Sequence, residues 1–170
     1  MSELRTNRIV PRDGLTSATG KGGGVIQVVH SSTGTLMQQT TIDTHYDTNL
    51  SATITPTRAD SKILIDIRLR VREDTGNNST WYVGLKKTIG GVDSYPGGQY
   101  MMHNQSKDDN NQWGGYYQMV VDVNGGSSEI TYTLAAGPWG SANGSSFNVN
   151  KSVGDGEKGG AQLIIYEVSG

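Results

Sequence analysis

The sequence predicts an all-β fold, an antiparallel two-sheet sandwich of jelly-roll type preceded by an extended N-terminal arm. Three observations carry that expectation. Residues Lys62–Arg72 alternate with a period of two, with Ile63, Ile65, Ile67, Leu69 and Val71 on one face and Asp66, Arg68, Arg70 and Arg72 on the other. Such a strand has one face in a core and the other in water or at a charged subunit contact. Roughly eight to ten short segments rich in Val, Ile, Tyr and Thr are separated by Gly, Asn, Asp or Pro, the punctuation of a sandwich. No segment long enough for a globular helix follows the helical period.

In chain order, residues 1–24 come first and differ from the rest. They carry Arg5, Arg8, Pro11 and Arg12, then a Gly/Ser/Thr-rich run ending in Lys21-Gly22-Gly23-Gly24, which reads as an arm and a hinge. The arm lacks an apolar pattern with which to pack alone. It is expected to dock on a neighbouring protein, with Leu4, Ile9 and Val10 as apolar anchors and Arg5, Arg8 and Arg12 meeting acidic groups or carbonyls.

Residues 25–170 are expected to form the sandwich. Its strands are read at Val25–His30, Leu36–Ile42, Leu50–Thr55, Lys62–Arg72, Thr80–Lys87, Gln99–His103, Gly115–Val123, Glu129–Leu134, Phe147–Asn150 and Gln162–Val168. Tyr117, Met119, Val121 and Val123 share one face, and Ile130, Tyr132 and Leu134 share another after Asn124-Gly125-Gly126, so these two segments are expected to pair as a hairpin. Gly22-Gly23-Gly24 and Gly90-Gly91 have neither the strand-to-helix setting nor the lysine of a phosphate loop, and read as flexible joints. Trp81 alternates with Val83 and Leu85 and reads as core; Trp113 and Trp139, set among Gly and Asn, read as surface.

Hydrophobic residues make up 34% of the chain and there are 24 glycines, which leaves one subunit little apolar material to offset the entropy of ordering. Many short strands also leave edges that need cover. A homotrimer with an apolar axis is expected on these grounds. A formal net charge of -2 offers no basic stripe for phosphates, which argues against nucleic acid as a partner. Cysteine is absent, so thiolate chemistry, disulfides and cysteine-based metal sites are closed. No run of ~20 apolar residues suggests membrane insertion, and Met1–Val10 lacks the apolar centre of a signal peptide.

Catalytic patterns are lacking. His30, His45 and His103 show no ligand spacing, and no serine sits in Gly-x-Ser-x-Gly. Asp108-Asp109 with Asn110 and Asn111 supplies oxygen donors without the spacing of a calcium loop and reads as a solvated turn. A non-enzymatic protein without cofactor or metal is therefore expected. Binding is the better expectation, because Tyr, Trp, Asn, Ser and Gly concentrate in the polar connections around Asn77 and Asn78, at Tyr95, at Lys107–Trp113 and from Trp139 to Asn143. Flat aromatic area and adaptable polar groups of this kind suit a surface glycan.

One resemblance narrows the reading. Leu50-Ser51-Ala52-Thr53-Ile54-Thr55-Pro56, followed by Ser61-Lys62-Ile63-Leu64-Ile65, resembles a motif common in structural proteins of marine bacteriophages, including cyanophages. The opening Met1-Ser2-Glu3-Leu4-Arg5-Thr6-Asn7-Arg8-Ile9 with Pro11-Arg12-Asp13-Gly14, and Gly24-Val25-Ile26-Gln27-Val28-Val29, are similar to the starts of the same short proteins. Phe147–Ser152 and Ala161–Val168 resemble their ends, whereas Asp74–Gly115 carries no such signature. The resemblance implies a trimeric jelly roll, similar to the globular heads of complement and tumour-necrosis-factor proteins, on a tail fibre, tail appendage or capsid surface. The expected role is a virion structural protein, made in the host cytoplasm, that docks to another virion protein by its arm and binds the host surface. A capsid decoration or cement protein is the alternative, and a polysaccharide-degrading enzyme or a cellular lectin-like module a weaker one.

Overall fold

The structure, a computed structural model, describes residues 24–35, 37–39, 46–73, 80–97, 102–105, 113–123, 126–139, 147–149 and 160–169. At residues 38–39, 70–73, 80–81, 102–105, 113–118, 123, 138–139 and 147–148 it describes the backbone alone. Among the described residues every regular element is a strand: β1 (Val25–Thr33), β2 (Met37–Gln39), β3 (Tyr46–Ile54), β4 (Lys62–Glu73), β5 (Thr80–Ile89), β6 (Val92–Ser94), β7 (Met102–Gln105), β8 (Trp113–Val123), β9 (Ile130–Trp139), β10 (Phe147–Val149) and β11 (Ala161–Val168).

The strands form two antiparallel sheets. In the first, β8 runs along one edge of β4, and β11 and β10 lie end to end along the other, Leu163 opposite Ile67 and Val149 opposite Val71. Outside them β1 pairs with β11 and β2 with β10. In the second, β9 lies between β3 and β5, and β6 and β7 share the far edge of β5, at Lys87–Ile89 and Thr80–Val83 respectively. Counting end-to-end segments as one strand, each sheet is four strands wide.

Alternation places the core between the sheets. Ile63, Ile65, Ile67 and Leu69 of β4, Leu163 and Ile165 of β11 and Val120 of β8 meet Leu50, Ala52 and Ile54 of β3, Val83 and Leu85 of β5, and Ile130, Tyr132 and Leu134 of β9. Fully burying an isoleucine is worth about 2 kcal/mol, so a one-residue slip of β4, exchanging Ile63, Ile65 and Ile67 for Leu64, Asp66 and Arg68, forfeits most of that and buries charge as well. Register is thereby fixed. Tyr82 and Ala135, on the opposite face of the second sheet, are also fully buried. A bulge between Asp47 and Ser51 interrupts the β3–β9 ladder, and there Leu50 N–H donates to Thr48 Oγ1 (3.1 Å).

Two sequence expectations are corrected. Gly90-Gly91 is a two-residue hairpin turn, with φ of 56° and 81°, closing Ile89 opposite Val92; two successive positive φ values are the type I′ geometry that glycine adopts without strain. The β6 strand that follows was not anticipated, although Gly-Gly between apolar residues is the signal for such a hairpin. The second correction concerns β8 and β9, which belong to different sheets, pairing with β4 and with β3 and β5 respectively. The chain arches from one sheet to the other instead of folding back beside itself. Turn residues and alternation are shared by hairpins and arches, so they could not separate the two. The structure also turns Met119 and Val121 outward and Val120 and Asp122 inward.

Several expected strands agree at their centres and differ at their ends. The β3 ladder begins at Tyr46, and β9 continues to Trp139. Leu36, residues 40–42 and 99–101, and Asn150 lie outside the described residues.

Candidate interaction surfaces

Strand ends define two opposite ends of the sandwich. At one, Gln39, Glu73, Trp113 and Phe147 end the first sheet, and Tyr46, Thr80, Gln105 and Trp139 lie at the same end of the second. At this end the chain leaves one sheet and re-enters the other four times, from Gln39 to Tyr46, Glu73 to Thr80, Gln105 to Trp113 and Trp139 to Phe147; the residues between lie outside the described ones. The expected surface residues Trp113 and Trp139 therefore lie at one end, in β8 and β9, as backbone positions. Asn77, Asn78 and Asn143 lie outside the described residues, as do Asp108, Asp109 and His45. Tyr95 is not with Trp113 and Trp139. It is half-buried, just after β6 and Ser94 opposite Lys87, nearer the other end.

The other end carries Gly24, the first described residue. Gly24 N–H donates to Ser169 Oγ (3.1 Å) and Gly24 C=O accepts from Ser169 N–H (3.0 Å), extending the β1–β11 ladder by one residue. Leu4, Arg5, Arg8, Ile9, Val10 and Arg12 lie outside the described residues.

Beside that junction is a buried carboxylate. Glu167 occupies the core-facing position of β11 that follows Leu163 and Ile165, and is fully buried. It organises the loop from β3 to β4, accepting from Thr57 N–H (2.8 Å), Thr57 Oγ1 (3.0 Å), Arg58 N–H (3.2 Å) and Ser61 Oγ (2.7 Å). Burial, the largest single influence, opposes ionisation. The hydrogen bonds from Ser61, Thr57 and Arg58 together outweigh it and hold the carboxyl below its ordinary range. Arg58 also forks onto Asp60 at the surface (2.9 and 3.0 Å), a pair of little energetic consequence in water.

A second polar cluster ties the sheets together. Asp122 of β8, inward-facing, accepts a hydrogen bond from Tyr132 Oη of β9 (2.6 Å) and an ion pair from Lys87 Nζ of β5 (2.5 Å). Lys87 and Tyr132 are buried. Burial first, and then the donated hydrogen bond to Asp122, hold the Tyr132 hydroxyl well above its ordinary value. Next to it, on the outer face of the second sheet, Lys86 pairs with Asp47 and approaches Asp93 (3.9 Å). The hydrogen bond to Asp47 raises the Lys86 ammonium against the opposing effect of burial.

Sequence reading passed over both clusters. Glu167 had a visible signal, a charged residue at a core position of an alternating strand. Asp122 had none, because its inward direction follows from the arch between β8 and β9.

Among the described residues no three of His, Asp and Glu gather as a metal site needs, and no helix is long and apolar enough to cross a membrane. No protein-family model matches the chain, and no curated protein matches it.

Proposed function

We propose that this chain is a structural module of a phage virion: a jelly-roll homotrimer on a tail fibre or tail appendage, docked by its N-terminal arm and binding the host surface at its far end. What supports the jelly-roll reading is strand order. Numbering the eight strand positions along the chain, the sheets run first, eighth, third, sixth and second, seventh, fourth, fifth, an arrangement of interleaved Greek keys. What supports the docking and display reading is polarity. Gly24, which carries the arm, lies at one end, and the polar connections flanked by Trp113 and Trp139 begin and finish at the other. A module built so can hold a particle with one end while presenting the other, and binding requires no turnover.

The experiment is deletion of residues 2–20. The truncated protein is expected to fold with nearly unchanged thermal stability and to disappear from assembled particles. Normal occupancy of the truncated protein, or its failure to fold, overturns the docking role. Clearance of host polysaccharide by purified protein would instead favour the enzymatic alternative.

A further inference from the structure

Lys87, Asp122 and Tyr132 bring an amine, a carboxyl and a hydroxyl together between the two sheets. Lys87 and Tyr132 are cross-strand partners on β5 and β9 of the second sheet, and Asp122 reaches both from β8 of the first. The setting is apolar. On their inward faces Lys87 is flanked by Leu85 and Ile89, Tyr132 by Ile130 and Leu134, and Asp122 follows Val120 and stands opposite Ile63, all of them core residues or packed against the core. The side chains of Lys87 and Asp122 are 10% and 13% exposed, and Tyr132 is fully buried. Lys86 and Asp47 make the same chemical pair on the outer face, but there the carboxylate is 52% exposed.

Both donors converge on one oxygen. Asp122 Oδ2 lies 2.5 Å from Lys87 Nζ and 2.6 Å from Tyr132 Oη. A C–O bond adds ~1.2 Å, so Nζ is within ~3.7 Å of Cγ, close to the ~3–3.5 Å of a near-attack arrangement. A buried ion pair adds little net stability by itself. An amine and a carboxyl held together out of water are, however, the two reactants of an amide condensation.

We propose that Lys87 and Asp122 join through a side-chain amide, Nζ to Cγ, which links β5 to β8 and so ties the two sheets covalently. Nζ first passes a proton to Oδ2 along the contact they share and attacks Cγ as a neutral amine. The Nζ–Cγ bond forms as the electrons of the Cγ–Oδ1 double bond move onto Oδ1. A second proton then passes from Nζ to Oδ2, the electrons on Oδ1 return, the Cγ–Oδ2 bond breaks and Oδ2 departs as water. Ammonium and carboxylate thereby become amide and water, with no oxidant, reductant or cofactor. Tyr132 is a positioning residue, its hydrogen bond aiming Oδ2 at Lys87. Orientation also favours the product, because well-placed groups act at effective concentrations of ~10⁵–10⁸ M, far above that of the water that would reverse the step. In a chain without cysteine the bond would restrict the unfolded state as a disulfide does elsewhere.

The test is the intact mass of purified full-length protein under denaturing conditions, after circular dichroism has shown it folded. The mass is expected to fall short of the sequence mass, with or without Met1, by one water. A protease digest should contain one branched peptide in which the segment around Lys87 is joined to the segment around Asp122. Lys87→Arg keeps a cation beside Asp122 but has no amine to acylate, and should show the full mass and no branched peptide. Folded wild type at its full sequence mass overturns the proposal and needs no variant to do so. Loss of water from Lys87→Arg as well, or a branch between Lys86 and Asp47 instead, overturns it too.

Discussion

Glu167 shows how a single side chain can close an end of the fold. Its carboxylate collects donors from three residues of one loop, and hydrogen bonds to a charged group are worth about 1.5–3 kcal/mol each, whereas an orphaned buried donor costs about 1–3. Glu167→Ala is expected to destabilise the protein by on the order of 3 kcal/mol in urea unfolding, and Glu167→Gln by less, since an amide oxygen still accepts. The carboxyl is held below its ordinary 4.5 in the folded state, so its contribution is fully present above the unfolded value and is lost as pH falls through the folded one. Melting temperature should therefore drop on acidification below about pH 4.5, and the drop should be shallower in Glu167→Gln. Identical acid profiles for the two proteins would remove Glu167 from the account. Asp122 presents the complementary case. Asp122→Ala leaves Lys87 buried without its partner and should cost about 3–5 kcal/mol, while Lys87→Met/Asp122→Leu should cost clearly less, because a buried pair is often replaceable by apolar residues but not divisible.

Among the elements, β4 and β8 mark the range of what alternation reveals. In β4 the faces differ in chemistry, isoleucine against aspartate and arginine, so its direction was readable before any packing was known. Ile67→Asp should abolish soluble expression by burying an unpaired carboxylate, and Arg68→Ala should be tolerated; a soluble Ile67→Asp with wild-type melting would contradict the observed register. In β8 the period was readable and the direction was not. Met119 and Val121 are as apolar as Val120, and the residue that decides inward from outward, Asp122, finds its partners on β5 and β9 of the facing sheet. The missed β6 hairpin is of another kind, since Gly90-Gly91 was visible and the segment after it, Val92–Ser94, too short to suggest a strand. Of the expected site residues, Trp113 and Trp139 are brought to one end by register, and Tyr95 is separated from them because it closely follows the Gly90-Gly91 turn at the other end, after Ser94 opposite Lys87.

Across the whole molecule the two sheets form a body with distinct ends, and the proposed role depends on that polarity more than on any one side chain. Gly24 lies beside Ser169 and Glu167, where the loop from β3 to β4 is pinned; the strand ends at Gln39, Glu73, Trp113, Phe147, Tyr46, Thr80, Gln105 and Trp139 are at the opposite end. A homotrimer keeps this polarity, since chains related by a rotation axis along the strands point the same way. The most direct measurement is a cryo-EM map of the intact particle with this sandwich fitted into it. The account predicts that the Gly24–Ser169 end faces the particle body, with the arm in density against another virion protein, and that the end bearing Trp113 and Trp139 points away into solvent. A sandwich seated the other way round, with Trp113 and Trp139 against the particle and Gly24 outermost, would contradict it.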